Sequence, residues 1–197
     1  MSNLQILGIG GSNGSGKDLL SEMLEKEHGW LFISSSRDLI IPELERRGSP
    51  IERENMADLT REWRKTMGKG AVIDNAIEMF NNLGGSAKFN GLVISSIRHP
   101  WEAERIHELG GRVIWVDADP NIRYERIYNR GHGSKDKKSY KQFLVEEQAE
   151  MNHHSDDHTT LNMAGVKAIA DIFLINDTND IEVFKKQIKQ KLGSYLV

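Results

Sequence analysis

Gly11-Ser12-Asn13-Gly14-Ser15-Gly16-Lys17-Asp18 follows the apolar run Ile6-Leu7-Gly8-Ile9 and precedes Leu19-Leu20. Glycines here permit positive-φ bends that turn successive backbone N–H groups inward. The helix expected after them directs its dipole at the bound anion, and Lys17 reaches β and γ phosphate oxygens. The spacing G-x-x-x-x-G-K, with a strand before it and a helix after it, marks a loop for a nucleoside triphosphate. Its last position departs from the pattern, because Asp18 stands where Ser or Thr donates a hydroxyl to Mg2+.

Outward from this loop, Gln5 to Gly10, Leu92 to Ser95, Arg112 to Asp117 and Ala170 to Asn176 read as buried parallel strands, with Trp30-Leu31-Phe32-Ile33 as a fifth. Between them, Met56, Leu59, Trp63 and Met67, and then Ile181, Phe184, Ile188 and Leu192, recur every three to four residues and define helix faces. Alternating strands and helices predict an α/β fold: a three-layer α/β/α domain over residues 1–197 with a five-stranded parallel sheet. Ligands of such sheets collect at the carboxyl ends of the strands. That rule makes Gly11 to Asp18, Ser34 to Asp38, Ser95 to Arg98 and Asp117 to Asp119 neighbours of one crevice. Residues 35–83 read as an acceptor-binding insertion. The segment Asn129 to Ser139 has two glycines, several charges and no apolar residue. It is expected to be a lid that closes over phosphates. Asn152-His-His-Ser-Asp-Asp-His158 lacks a helical spacing that would gather its side chains around one ion, and reads as a hydrated loop.

A net charge of −3 argues against bulk electrostatic attachment to nucleic acid or to an anionic membrane. Small anionic ligands fit better. With no cysteine in 197 residues, disulfides, thiolate nucleophiles and cysteine-ligated zinc are excluded. There is no secretion-type start and no apolar run of membrane-spanning length, so a cytoplasmic protein is expected.

With the loop, the strand pattern and the lid in place, the chain resembles the nucleoside monophosphate kinases of the phosphate-loop class. Gly16-Lys17-Asp18 and the stretch from Ile97-Arg98-His99-Pro100-Trp101-Glu102-Ala103 through Ile106 to Gly110-Gly111-Arg112-Val113-Ile114 look like the phage-type deoxynucleoside monophosphate kinases. The strand running into Ile175-Asn176-Asp177 is similar also to dephospho-coenzyme A kinases. The resemblance implies an ATP- and Mg2+-dependent phosphotransferase for a nucleoside or deoxynucleoside monophosphate. Dephospho-coenzyme A or another phosphometabolite is the alternative acceptor, and a non-catalytic or slowly hydrolysing nucleotide-binding regulator the alternative class. Gly11, Ser12, Asn13, Gly14, Ser15, Gly16, Lys17, Asp18 and Leu19 then form the nucleotide site. Kinases of this branch keep an acid at the end of the third strand, where it helps hold Mg2+ through water. Here Ser95-Ser96 stand there, and Asp18 becomes the metal candidate.

Phosphoryl transfer asks mainly for cations that position two anions and neutralise the moving charge. Lys17 is expected on the donor phosphates. Arg98 is expected to fork onto the acceptor phosphate, against a plain ion pair with Glu102 at i+4. Arg37 and Arg64 are further acceptor candidates, whereas Trp63 fits the apolar stripe. Arg126 and Arg130 match the lid arginines of related kinases; for Arg123, on the same helix face, a solvated residue paired with Glu125 is the plain alternative.

Overall fold

A computed structural model of the chain describes residues 4–130, 138–151 and 161–196. The middle of the expected lid, residues 131–137, and the histidine-containing stretch 152–158 lie outside the described residues.

Five strands form one parallel sheet in the order β2-β3-β1-β4-β5, with β1 Ile6–Gly11, β2 Leu31–Ser34, β3 Leu92–Ser95, β4 Arg112–Asp117 and β5 Ile172–Ile175. All five expected strands are present: β3 and β4 match to the residue, and β1, β2 and β5 differ by one or two residues at their ends. The sheet is entirely parallel because each connection carries at least one helix. These are α1 Lys17–His28, α2 Ile41–Arg46, α3 Arg53–Met67, α4 Ala71–Asn82, α5 Pro100–Glu108, α6 Pro120–Arg130, α7 Tyr140–Met151, α8 Met163–Ile169 and α9 Ile181–Leu192.

Two apolar clusters flank the sheet and make the three layers. On one face Ile73, Ala76 and Phe80 of α4, Ala103 and Ile106 of α5, and Val166 of α8 meet Ile6, Ile94 and Trp115. On the other, Leu20, Met23 and Leu24 of α1 and Phe184, Ile188 and Leu192 of α9 meet Leu7, Ile9, Val93 and Val116. The α9 stripe therefore buries three of its four expected members, while Ile181 stays exposed. Gly8 in mid-strand lets α5 lie close, since a Cβ there would come within 2.3 Å of the Ile106 side chain.

Between β2 and β3 the chain makes a π-helical turn over Ser35–Ile40 and then α2, α3 and α4. Ile40, Leu44 and Leu59 form a small cluster of their own with Met56 and Trp63, whereas Met67 ends exposed. The last helix of this stretch, α4, joins the main core.

At the sheet margin, β5 leaves Phe173 and Ile175 exposed. Its backbone is held from α9: Ile175 N–H donates to Gln187 Oε1 at 3.0 Å, Gln187 Nε2 returns a bond to the Ile175 carbonyl, and Lys191 Nζ reaches the Phe173 carbonyl. Among the described residues no helix is long and apolar enough to cross a membrane.

Candidate functional site: a phosphate loop facing an arginine-lined cavity

β1 ends at Gly11, level with Val116 of β4, while Ile9 is level with Ser95 of β3. The loop after it bends at Gly11 (φ 145°), Gly14 (φ 78°) and Gly16 (φ 98°). A Cβ at these positions would fall 2.1 Å from the Val116 carbonyl oxygen, 2.7 Å from the Arg123 carbonyl oxygen and 2.5 Å from Asn176 Nδ2. Close backbone approach and positive φ both require glycine there. α1 starts directly behind the loop, with Gly16 at its N-cap and no side-chain cap on its first-turn amides. This cradle suits a polyphosphate, because the amides and the helix dipole offer an anion the partners that no capping side chain supplies.

Lys17 folds back across the loop, its Nζ donating to the Gly11 and Ser12 carbonyls at 2.9 and 2.7 Å. Burial lowers its pKa to about 8; the Arg98 charge acts in the same direction, and the Asp18 and Glu150 carboxylates partly oppose them. Asp18 is exposed in the first turn of α1. The Ser15 hydroxyl inside the loop and the Ser95 hydroxyl at the end of β3 are buried without a hydrogen-bond partner among the described residues. A carboxylate and hydroxyls around a phosphate loop are hard oxygen donors of the kind Mg2+ takes, so Asp18 and Ser15 fit the metal in type.

Asp117, at the end of β4, is not free for such a role. Its carboxylate accepts from Ser12 Oγ at 3.2 Å, Trp115 Nε1 at 3.2 Å, Lys167 Nζ at 2.9 Å and the Ala118 N–H at 3.0 Å. Burial alone would push its pKa up, but the Lys167 and Trp115 hydrogen bonds hold it below its ordinary value. Asp117 thus anchors the second residue of the phosphate loop.

The arginines of α6 divide by face. Arg123 is buried; it donates to the Ala118 carbonyl at 2.7 Å and clasps Glu147 of α7, with Nη2 to Oε2 at 3.0 Å. A solvated Arg123 paired with Glu125 is therefore excluded: the residue ties α6 to α7 beneath the crevice. Arg126 lies against the loop and the β5 end, donating to the Thr178 carbonyl at 2.6 Å, with Gly14 O and Asn176 Oδ1 at 3.4 Å. Asn176 in turn donates to the Ser15 carbonyl at 2.9 Å. Arg130 closes α6, and its side chain is outside the described set.

Across the crevice, Ser96 is the one described non-glycine residue at positive φ, 70°, a costly conformation at the end of β3. It turns the chain into α5, whose N-terminus is a capping box. Buried Glu102 accepts the Arg98 N–H at 2.8 Å and the His99 N–H at 3.2 Å. Burial raises the Glu102 pKa and the two amide bonds lower it, with burial prevailing. The carboxylate is engaged by backbone, and Arg98 lines a cavity of about 500 Å3. Arg64, Ser35, Ser96 and Glu150 line the same cavity. Arg64, lowered in pKa by burial, also lies over the Trp101 ring at 5.8 Å.

Arg37 is elsewhere. Its guanidinium makes two 2.8 Å bonds to Asp38 and sits over Phe32, and it is not among the residues lining the cavity. Trp63 packs with the small cluster of the insertion, as its stripe predicts.

A second cavity of about 720 Å3 begins at Ser12 and Asn13 and runs past Lys138 and Phe143; Arg53, Glu146 and Glu150 line both cavities. Structure therefore brings together the loop from Gly11 to Asp18, Arg98 and Arg64, and leaves Arg37 outside. Sequence reasoning placed Asp117 at the crevice but missed its tie to Ser12 and Lys167, the Arg123–Glu147 pair, Asn176 and the α7 glutamates. Asp117 and Asn176 carried the signal of polar residues at strand ends, while Glu147 and Glu150 belong to a helix whose apolar stripe is too weak to orient it from sequence.

The family model described as AAA domain matches residues 7–152. A UPF0200 protein of Sulfurisphaera tokodaii is 30% identical over 197 residues, covering 100% of both chains. Among solved structures, TT1252 from Thermus thermophilus aligns with a TM-score of 0.64 at 19% identity over 100% of each chain. Shikimate kinase from Bacteroides thetaiotaomicron aligns with a TM-score of 0.55 at 14% identity, covering 95% of this chain and 96% of its own. At these identities the structural likenesses establish the phosphate-loop kinase fold.

Proposed function

The chain belongs to the AAA domain family and to the UPF0200 group, and from that premise we propose an ATP- and Mg2+-dependent phosphotransferase acting on a small phosphate-bearing acceptor. One observation carries the reading: the cavity that begins at Ser12 and Asn13 of the glycine-bent loop shares the wall of Arg53, Glu146 and Glu150 with a cavity lined by Arg98 and Arg64. A donor polyphosphate in the loop and an anionic acceptor on the arginines would meet between them. A solved structural neighbour that is a shikimate kinase is in keeping with transfer to a small molecule.

Lys17 would leave the Gly11 and Ser12 carbonyls for the donor phosphates, and the amides of Gly14, Ser15 and Gly16 would cradle them. Asp18 would hold Mg2+ directly or through water in place of the usual hydroxyl; the ion supplies charge neutralisation at the transferring phosphoryl group. Arg98 would fix the acceptor phosphate with two parallel bonds and Arg64 would supplement its charge. Arg126, braced between the loop and Thr178, would position the donor side, with Arg130 one turn further along the same helix.

For the acceptor, the Arg98 to Ile114 block supports a nucleoside or deoxynucleoside monophosphate. A second reading, dephospho-coenzyme A or another phosphorylated metabolite, is favoured by the carboxylates of Glu146 and Glu150 on the cavity wall. ADP release with ATP, Mg2+ and a panel of both acceptor types tests the proposal. Acceptor-dependent ADP release is the expected result; tight ATP binding without any acceptor-dependent release would instead indicate a nucleotide-binding regulator.

A further inference from the structure

On the reading that this crevice transfers phosphoryl groups, we propose that Glu150 is the general base of the reaction, and hence that the acceptor is phosphorylated on a hydroxyl rather than on the phosphate by which it is held.

The geometry starts from α7, which forms the wall shared by the two cavities. Three of its glutamates face that region. Glu146 is paired with Lys138 and Glu147 with Arg123. Among the described residues Glu150 has one ion-pair partner, Arg53, at 3.5 Å, and the Arg53 side chain is 84% exposed. Glu150 therefore lines the junction of the donor-side and acceptor-side cavities with a partner that water competes for. Its charge is felt at Lys17, as is that of Asp18. β3 ends in Ser95, so the strand end brings no carboxylate to this place. Asp18 belongs to the loop side, Glu146 is held by Lys138, and Glu102 of the acceptor-side cavity is held by two amides, so among the described residues Glu150 is the carboxylate at the point of transfer.

Chemistry then separates the acceptors. A phosphate that attacks ATP is already anionic; it needs no base, and a carboxylate beside it adds repulsion. An alcohol must lose a proton as it attacks, and a carboxylate at that point lowers the barrier. In the proposed step the acceptor hydroxyl oxygen bonds to the γ phosphorus of ATP. The bond from that phosphorus to the β–γ bridging oxygen breaks, its electron pair leaving on ADP. The hydroxyl proton passes to a Glu150 carboxylate oxygen and from there to water. Arg98 and Arg64 hold the acceptor through a phosphate that does not react. The acceptor class is thus a phosphorylated alcohol, and a nucleotide attacked at a ribose hydroxyl belongs to it.

The test uses the full chain with ATP and Mg2+, and dephospho-coenzyme A, AMP and dCMP as acceptor probes. Product identity is read by phosphorus NMR and turnover by ADP release. A new phosphomonoester is expected, not a phosphoanhydride. Glu150→Gln should lower kcat roughly 10²- to 10⁴-fold, the usual range for loss of a general base, with KM for ATP unchanged. It should also abolish the acidic limb of the kcat profile, and Glu150→Asp should restore part of that limb. Arg53→Gln breaks the same ion pair but keeps the carboxylate, so the acidic limb should persist. An anhydride product, or a Glu150→Gln enzyme with normal kcat, would overturn the base assignment and leave phosphoryl transfer standing. Absence of ADP release with every acceptor would overturn both.

Discussion

Lys17 carries the sharpest consequence at the scale of single residues. In the free protein its ammonium is desolvated and satisfied by two loop carbonyls, with a pKa lowered from 10.5 to about 8. Between these values the unfolded chain holds the proton and the folded chain releases it, so stability should rise with pH across that window, the penalty being fully present below about pH 8. Phosphate binding has the opposite sign, because only the ammonium attracts the anion. ATP affinity should therefore fall as pH rises through about 8, with proton uptake on binding, measurable by calorimetry in buffers of different ionisation heat. Lys17→Ala should remove this pH dependence and nearly all turnover, and because it removes the cost of burying the ammonium it should not lower the melting temperature below about pH 8. Asp18 is tested by metal demand: Asp18→Ala should raise the Mg2+ concentration for half-maximal activity, and Asp18→Ser should bring it part of the way back. Both residues were legible in the sequence because spacing within one loop fixes their geometry. Arg37 was not, since the adjacent Asp38 captures its guanidinium and no spacing rule reports a neighbour's competing charge.

Among elements, α5 decides what Arg98 does. An i+4 glutamate suggested an ion pair, but Glu102 is drawn into the helix start, where two backbone N–H groups claim it. The cap fixes the Arg98 backbone at the wall of the cavity. Arg98→Lys keeps the charge and loses the fork, so acceptor KM should rise by an amount corresponding to about 1–3 kcal/mol, with ATP affinity nearly constant. Initial-rate kinetics in both substrates check this; a change confined to ATP would place Arg98 on the donor. The strands were readable because apolar runs bounded by glycine and polar residues leave few options. α7 was not readable in its orientation: its inner face is set by Arg123 and the α6 aromatics, including the Tyr124–Phe143 contact with ring centroids at 5.8 Å, and these are partners that local periodicity does not encode.

For the whole molecule, the crevice depends on polar ties between layers as much as on the two apolar clusters. Ser12 to Asp117 to Lys167 joins the loop to α8, and Arg123 to Glu147 joins α6 to α7. Arg123→Ala strands a largely buried carboxylate and the Ala118 carbonyl, and should cost roughly 3 kcal/mol, at the low end for broken buried pairs because Glu147 keeps some water contact. Chemical denaturation should show a lower midpoint with an unchanged slope. The α/β architecture, sheet included, followed from strand and helix alternation. These ties did not, because they join residues 24 to 105 positions apart. The margin of β5 has a different kind of consequence. An edge strand with exposed Phe173 and Ile175 would ordinarily invite another chain to continue the sheet. Gln187 and Lys191 already occupy the Ile175 N–H and the Ile175 and Phe173 carbonyls, so a passing strand finds a broken ladder, and greasy side chains at this border are less prone to seed fibrous growth.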